Sequence, residues 1–169
     1  DITHHKGMAK ELVDYRNKTG EEAIWTNSMF GGMPGYMISV SYNSNLGRII
    51  HRTINIAFPI AFLIILYLTS FYILLSSLKL NRWLSLVGAI AFGFSSYFLI
   101  IMGAGHNTKA SALGYLPFVI AGTLLTFRGK RFPGAILFAL GLSLELLTGH
   151  PQITYYGLIL LLIYSIIEF

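Results

Sequence analysis

The chain has no cysteine, so neither a disulfide framework nor a thiolate metal site is open to it, and the redox state of its compartment leaves no mark. Charge is scarce as well. Asp, Glu, Lys and Arg together make up 11% of the 169 residues, somewhat less than half of the about 25% that a soluble domain carries. Seven acids leave few groups for general acid–base work or a carboxylate metal cluster. Basic residues outnumber them and give a formal charge of +5, but they are spread over the polar segment 1–52 and the turns between apolar runs rather than gathered in one tract, which argues against a nucleic-acid partner.

What the chain does have is apolar length. Runs at roughly 54–78, 83–102, 110–127, 132–148 and 153–169 each fit the ~17–25 residues that a helix needs to cross a bilayer. Turns of four to seven residues join them, leaving too little polar surface to clothe a soluble core. The sequence therefore predicts an all-α, polytopic transmembrane bundle of about five spans over 53–169, preceded by a polar segment, 1–52. The chain opens on Asp1 and stops at Glu168-Phe169 directly after an apolar run. Both ends read as cuts in a longer protein, with the exporting signal upstream.

Orientation follows from Lys and Arg in the short loops. Lys79, Arg82, Arg128, Lys130 and Arg131 lie in the turns after the first and third spans, whereas the turns after the second and fourth hold only Lys109. The first pair of turns is expected on the cytoplasmic side. Residues 1–52 and the turns 103–109 and 149–152 then fall outside, although Lys6, Lys10, Arg16, Lys18, Arg48 and Arg52 in the outer segment pull the other way. That segment carries its own pattern. Met8, Leu12 and Tyr15 share one face of a helix from Thr3 to Lys18, and Leu46, Ile49, Ile50 and Ile54 form a second apolar stripe within 46–56. Both suit amphipathic helices at a membrane surface. The intervening Trp25 to Pro34 stretch, rich in glycine and aromatics, predicts an ordered loop.

Polar residues in such a chain call for roles. Asp1 can cap the first outer helix or stand at the membrane exit as a general base or metal ligand. His4 and His5 are adjacent and so point in different directions on a helix, which makes them poor co-ligands. His106 and Lys109, spaced by three, share a face at the start of the third span. Free helix amides, flanking glycines and a lysine charge there suit a phosphate, and a snorkelling interfacial lysine is the plainer alternative. Glu145, near the outer end of the fourth span, is costly in lipid and is expected to find a partner, with Lys109 and His150 nearest in depth. His150 and Gln152 flank Pro151, an ordinary first residue of a helix, and can donate hydrogen bonds into an outer vestibule. Tyr155 and Tyr156 read as an interfacial aromatic belt. Small residues at Gly88, Ala91, Gly93, Ser95 and Ser96, and at Gly134, Ala135, Ala139 and Gly141, suit close helix packing.

Taken in order, Asp1, Thr26-Asn27-Ser28-Met29-Phe30-Gly31-Gly32-Met33-Pro34, Gly105-His106-Asn107-Thr108-Lys109 and Gly149-His150-Pro151-Gln152 resemble the YfhO-type bacterial membrane proteins, in the version found in Bacteroidetes. That family looks like the GT-C class of glycosyltransferases. The resemblance implies a GT-C-like fold in the bacterial inner membrane, with transfer of a sugar from a polyprenyl-phosphate donor to a glycan, lipid or protein acceptor on the extracytoplasmic face. It places Asp1 at the catalytic acidic position, as general base on the acceptor hydroxyl; from their common side, His106 and Lys109 are expected on the donor phosphate, and His150, Gln152, Glu145, His4 and His5 along the substrate or acceptor. The second acid found in some versions of the motif is missing, since Ile2 and Thr3 follow Asp1. A divalent metal on Asp1 and a metal-independent reaction both stay open. So do two other functions, a transporter of lipid-linked saccharides and a structural membrane subunit.

Overall fold

The computed structural model describes residues 2–39 and 59–168, with side chains over 6–39 and 61–168. Asp1 and the second amphipathic stripe, 46–56, lie outside the described residues. The chain divides into two compact units, Asp1–Ile49 and Ile50–Phe169.

The first unit is built on α1 (Ile2–Thr19) and a two-residue hairpin of β1 (Trp25–Thr26) and β2 (Met33–Pro34), with Trp25 opposite Pro34. The hairpin supplies the order expected of the Trp25 to Pro34 loop. Its turn relies on Gly31 and Gly32, both with positive φ, a conformation that costs glycine little. The apolar face of α1 is turned onto this loop. Leu12 and Ala9 are buried with Ile38, and Met8, Val13, Ala23 and Met33 pack around them. Tyr15, expected in the same stripe, stays exposed, because Ala9 and Leu12 already fill the contact with the loop. Two polar links fasten the packing. Glu11 accepts hydrogen bonds from the Thr26 hydroxyl and from the Ser28 amide at 3.1 Å, and Arg16 pairs with Glu22 at 2.7 Å while donating to the Ser39 carbonyl. The Thr26 hydroxyl beside it, against a smaller opposing effect of burial, holds the Glu11 carboxyl below its ordinary value.

The second unit is helical throughout: α2 (Pro59–Ser77), α3 (Arg82–Gly93), α4 (Ser96–Gly103), α5 (Asn107–Phe127), α6 (Arg131–Leu147) and α7 (Pro151–Glu168). Three stretches are long and apolar enough to span a membrane: Arg82–Gly103 taken across its break, Asn107–Phe127 and Pro151–Glu168. They mark the chain as a membrane protein. Large side chains such as Val87, Ile100, Leu162 and Ile167 stand exposed along them, as lipid-facing surfaces do. The apolar stretch Ala61–Ser77 is shorter.

One expected span differs in kind. The run 83–102 predicts a continuous helix, but the helix stops at Gly93 and restarts at Ser96, with Phe94 near φ −102° and Ser95 extended at ψ 145°. Gly and Ser at the junction weaken the ladder locally, a recognised cause of sharp kinks. Aromatic packing holds the bend. Phe92 before it and Phe98 after it lie 4.7 Å apart between ring centroids, with Tyr67 of α2 at 4.2 Å from Phe98.

Helix α5 is the centre of the unit, in contact with α2, α4, α6 and α7. Its surface is made of small residues, so neighbours come to backbone distance. A Cβ added to Gly122 would sit 2.7 Å from the Phe138 Cα and 2.8 Å from the Gly134 carbonyl oxygen. The α5–α6 seam continues through Gly141, packed on Phe118 and Val119. Carried one step further at the same spacing, it brings Glu145 of α6 level with the buried Tyr115 of α5. At the other end of α5, Arg128 donates to the carbonyl of Ser77 at the close of α2. The two basic turns therefore share one end of the bundle, with a cation set against a helix C-terminus.

Candidate functional site

The opposite end of α5 is entered through a turn that the sequence builds twice. Helix α4 closes on Gly105 at φ 78°, and His106 follows as the residue before α5. Helix α6 closes on Gly149 at φ 72°, and His150 follows before α7. In each case the left-handed glycine lets the chain reverse within a few residues. Its amide returns to the preceding helix, Gly105 to the Met102 carbonyl and Gly149 to the Leu146 carbonyl, both at 3.1 Å. Both turns thus present an imidazole at a helix start.

These imidazoles and Lys109 are neighbours. His150 is half-buried, and burial is the main cause that pushes its imidazole below the ordinary value; the positive charges of Lys109 and His106 push the same way. Its own backbone carbonyl opposes the shift but completes no hydrogen bond, because the buried Nδ1 has no partner. Two turns that are 44 positions apart by residue number therefore meet at one place. His106 is exposed and makes no side-chain cap on α5, so the first amides of that 21-residue helix face the same region as the Lys109 charge.

Among the described residues Lys109 makes no ion pair. Its Nζ lies 5.6 Å from the centre of the Tyr97 ring, a cation–π contact. The break in Arg82–Gly103 gives α4 its own direction, and Tyr97 stands on this second half. One residue beyond Lys109, the Ala110 carbonyl accepts a hydrogen bond of 2.9 Å from the buried Tyr67 hydroxyl. The lysine is thus carried by a helix start that α2 ties down.

Below this rim lies Glu145. Only 1% of it is exposed, and among the described residues its Oε1 has no hydrogen-bond partner and it has no ion pair; the expected pairing with Lys109 or His150 is not formed. The Thr154 hydroxyl, itself 6% exposed, lies beside the carboxyl without completing a hydrogen bond of good geometry. Thr148 closes the turn by donating to the Glu145 backbone carbonyl at 2.7 Å. Gln152 is exposed in the first turn of α7, where Tyr155 and Tyr156 are exposed too. His4 and His5 belong to the first turns of α1 in the other unit.

The structure therefore joins His106, Lys109 and His150, and sets Thr154, one helical turn after His150, beside Glu145, one turn before the α6–α7 junction. Sequence reasoning passed over Thr154, Tyr97 and Tyr67. Thr154 follows His150 by four, the spacing that aligns side chains along a helix. The tyrosines sit in apolar runs where nothing local separates a tether from core or belt.

A pH test follows from His150. A group held below its ordinary value is neutral in the fold while the unfolded chain binds the proton, so its contribution to stability is complete above about pH 6.5 and is lost as pH falls through the lower folded value. Melting of the purified protein should weaken from pH 7.5 to 5. Sulfate, by screening Lys109 and His106, should restore part of the loss, and His150→Gln should flatten the profile. Superimposable profiles for variant and parent would refute the assignment.

Comparison with family models, with curated proteins and with solved structures finds no match to this chain.

Proposed function

We propose that the chain is part of a GT-C-like, inverting membrane glycosyltransferase of about five spans in a bacterial inner membrane, with residues 1–52 and the turns 103–109 and 149–152 on the extracytoplasmic face. The observation that carries this reading is the meeting of His106, Lys109 and His150 at the open start of α5. A cationic cluster at a helix N-terminus, reachable from an apolar surface, suits the phosphate of a polyprenyl-phosphate sugar. In the transfer an acceptor hydroxyl attacks the anomeric carbon and the bond from that carbon to phosphate oxygen breaks. The hydroxyl proton passes to Asp1, the role that the resemblance gives it, and the negative charge growing on the leaving phosphate falls to His106 and Lys109. Glu145, His150 and Gln152 line the sugar or acceptor.

The test is a transfer assay with purified full-length protein and radiolabelled lipid-linked sugars. Asp1→Asn is expected to lower turnover at least about a hundredfold, the scale of a lost general base, and undiminished turnover removes Asp1 from the mechanism. Movement of labelled lipid-linked sugar across proteoliposomes with no product formed would favour the transporter instead.

A further inference from the structure

A carboxylate withdrawn from water costs several kcal/mol unless charge and hydrogen bonds compensate it. Glu145 has neither. The one lysine near this end of the bundle is held over Tyr97, so no cation of the described bundle answers the carboxylate. Two more buried atoms share its condition: Oγ1 of Thr154 and Nδ1 of His150. Each can accept a hydrogen bond, the imidazole because its surroundings disfavour protonation. Buried polar atoms without partners are rare in folded proteins, and three in adjoining turns call for a common cause.

Three acceptors, one of them charged, match a primary ammonium, which has three N–H donors and one positive charge. A metal ion fits less well, since the described residues contain no group of three or more His, Cys, Asp or Glu able to hold one. His150 also feels the positive charges of Lys109 and His106, so the cationic rim lies beside it. We propose that the two parts bind one ligand, an aminated phosphate, with its ammonium on Glu145, Thr154 and His150 and its phosphate on His106, Lys109 and the first amides of α5. This rests on the phosphate reading above and adds the amine. Two sources share the chemistry, the headgroup of an aminophospholipid and an amino-sugar phosphate.

Calorimetry on the full-length protein in amine-free detergent separates them. The probes form two pairs: phosphoethanolamine against glycerol 3-phosphate, and glucosamine 1-phosphate against glucose 1-phosphate. In at least one pair the aminated member is expected to bind about tenfold more tightly, the scale of a charge-assisted hydrogen bond, and the pair that shows it names the source. Glu145→Gln and, independently, Thr154→Val should shrink that preference while phosphate binding survives; Lys109→Ala should weaken both members of a pair equally. Equal affinities within both pairs, with phosphate still bound, would overturn the ammonium subsite and leave the phosphate reading standing. No binding of any phosphate probe would overturn both.

Discussion

Gly122→Leu is expected to prevent the helical unit from packing. At this position α5 and α6 touch through their backbones, and the first atom of any side chain would stand 2.7 Å from the Phe138 Cα and 2.8 Å from the Gly134 carbonyl oxygen. A flexible side chain could swing away from such an intrusion, but a backbone cannot. The helices would have to separate along a seam that continues through Gly141 and ends beside Glu145. Overpacking in a tight core costs about 1–3 kcal/mol and more where the neighbours cannot yield, and this seam is the most extensive contact in the unit. The upper end of that range is the expectation, read as a large fall in melting temperature in detergent and rapid proteolysis of the α5–α6 turn. Gly7→Ala is the control. Nothing lies within 4 Å of a Cβ there, so alanine should be accommodated and should favour α1 slightly. A Gly122→Leu protein that melts with the parent would show that the two helices do not approach as closely as described.

Lys109→Ala should have a large effect on transfer, a loss of about a hundred- to a thousandfold in turnover. The magnitude is that of removing one preorganised group that faces developing charge, ~2.7–4 kcal/mol. The lysine is half-buried and held by an aromatic face rather than paired with a carboxylate, so its charge remains available to an anion. The helix start and His106 persist in the variant, which should therefore keep weak binding of sulfate or phosphate while chemistry suffers. Lys109→Arg keeps the charge but alters its reach and hydrogen-bonding shape, and should recover only part of the activity. If Lys109→Ala turns over as fast as the parent, the rim does not stabilise a leaving phosphate. A loss that Tyr97→Leu reproduced and Tyr97→Phe did not would assign the ring its share, because phenylalanine retains the π face that attracts the ammonium.

The sequence made some of this legible through strong local signals. The Gly-His pairs mark both turns because a left-handed residue must close a helix there, and apolar length marks the stretches able to cross a bilayer. Segregation of Lys and Arg put His106, Lys109 and His150 at one depth. Their lateral meeting depends on how α5, α6 and α7 pack, and single-chain periodicity carries no such information. The break at Phe94–Ser95 was hidden because the residues on either side are as apolar as those of an unbroken span. Glu145 was conspicuous as an acid among leucines, yet its lack of a counter-charge emerges only when Lys109 is seen over Tyr97. The face of α1 was misjudged at Tyr15 for a similar reason, since the loop that covers Ala9 and Leu12 lies later in the chain.

The bond from Arg128 to the Ser77 carbonyl bears on the order in which the protein is made. Ser77 leaves the ribosome about fifty residues before Arg128, so the end of α2 waits for its cap while α3, α4 and α5 are synthesised and delivered to the bilayer. The carbonyls of Leu74, Leu75 and Ser76 are closed at once by the amides of Leu78, Leu80 and Lys79, so it is the Ser77 carbonyl that water must satisfy during that interval. The arrival of Arg128 ties this end of α2 to the α5–α6 turn. Late anchoring of this kind makes α5 the keystone of assembly as well as of packing: a chain truncated before Arg128 should leave the end of α2 without its tie to the α5–α6 turn.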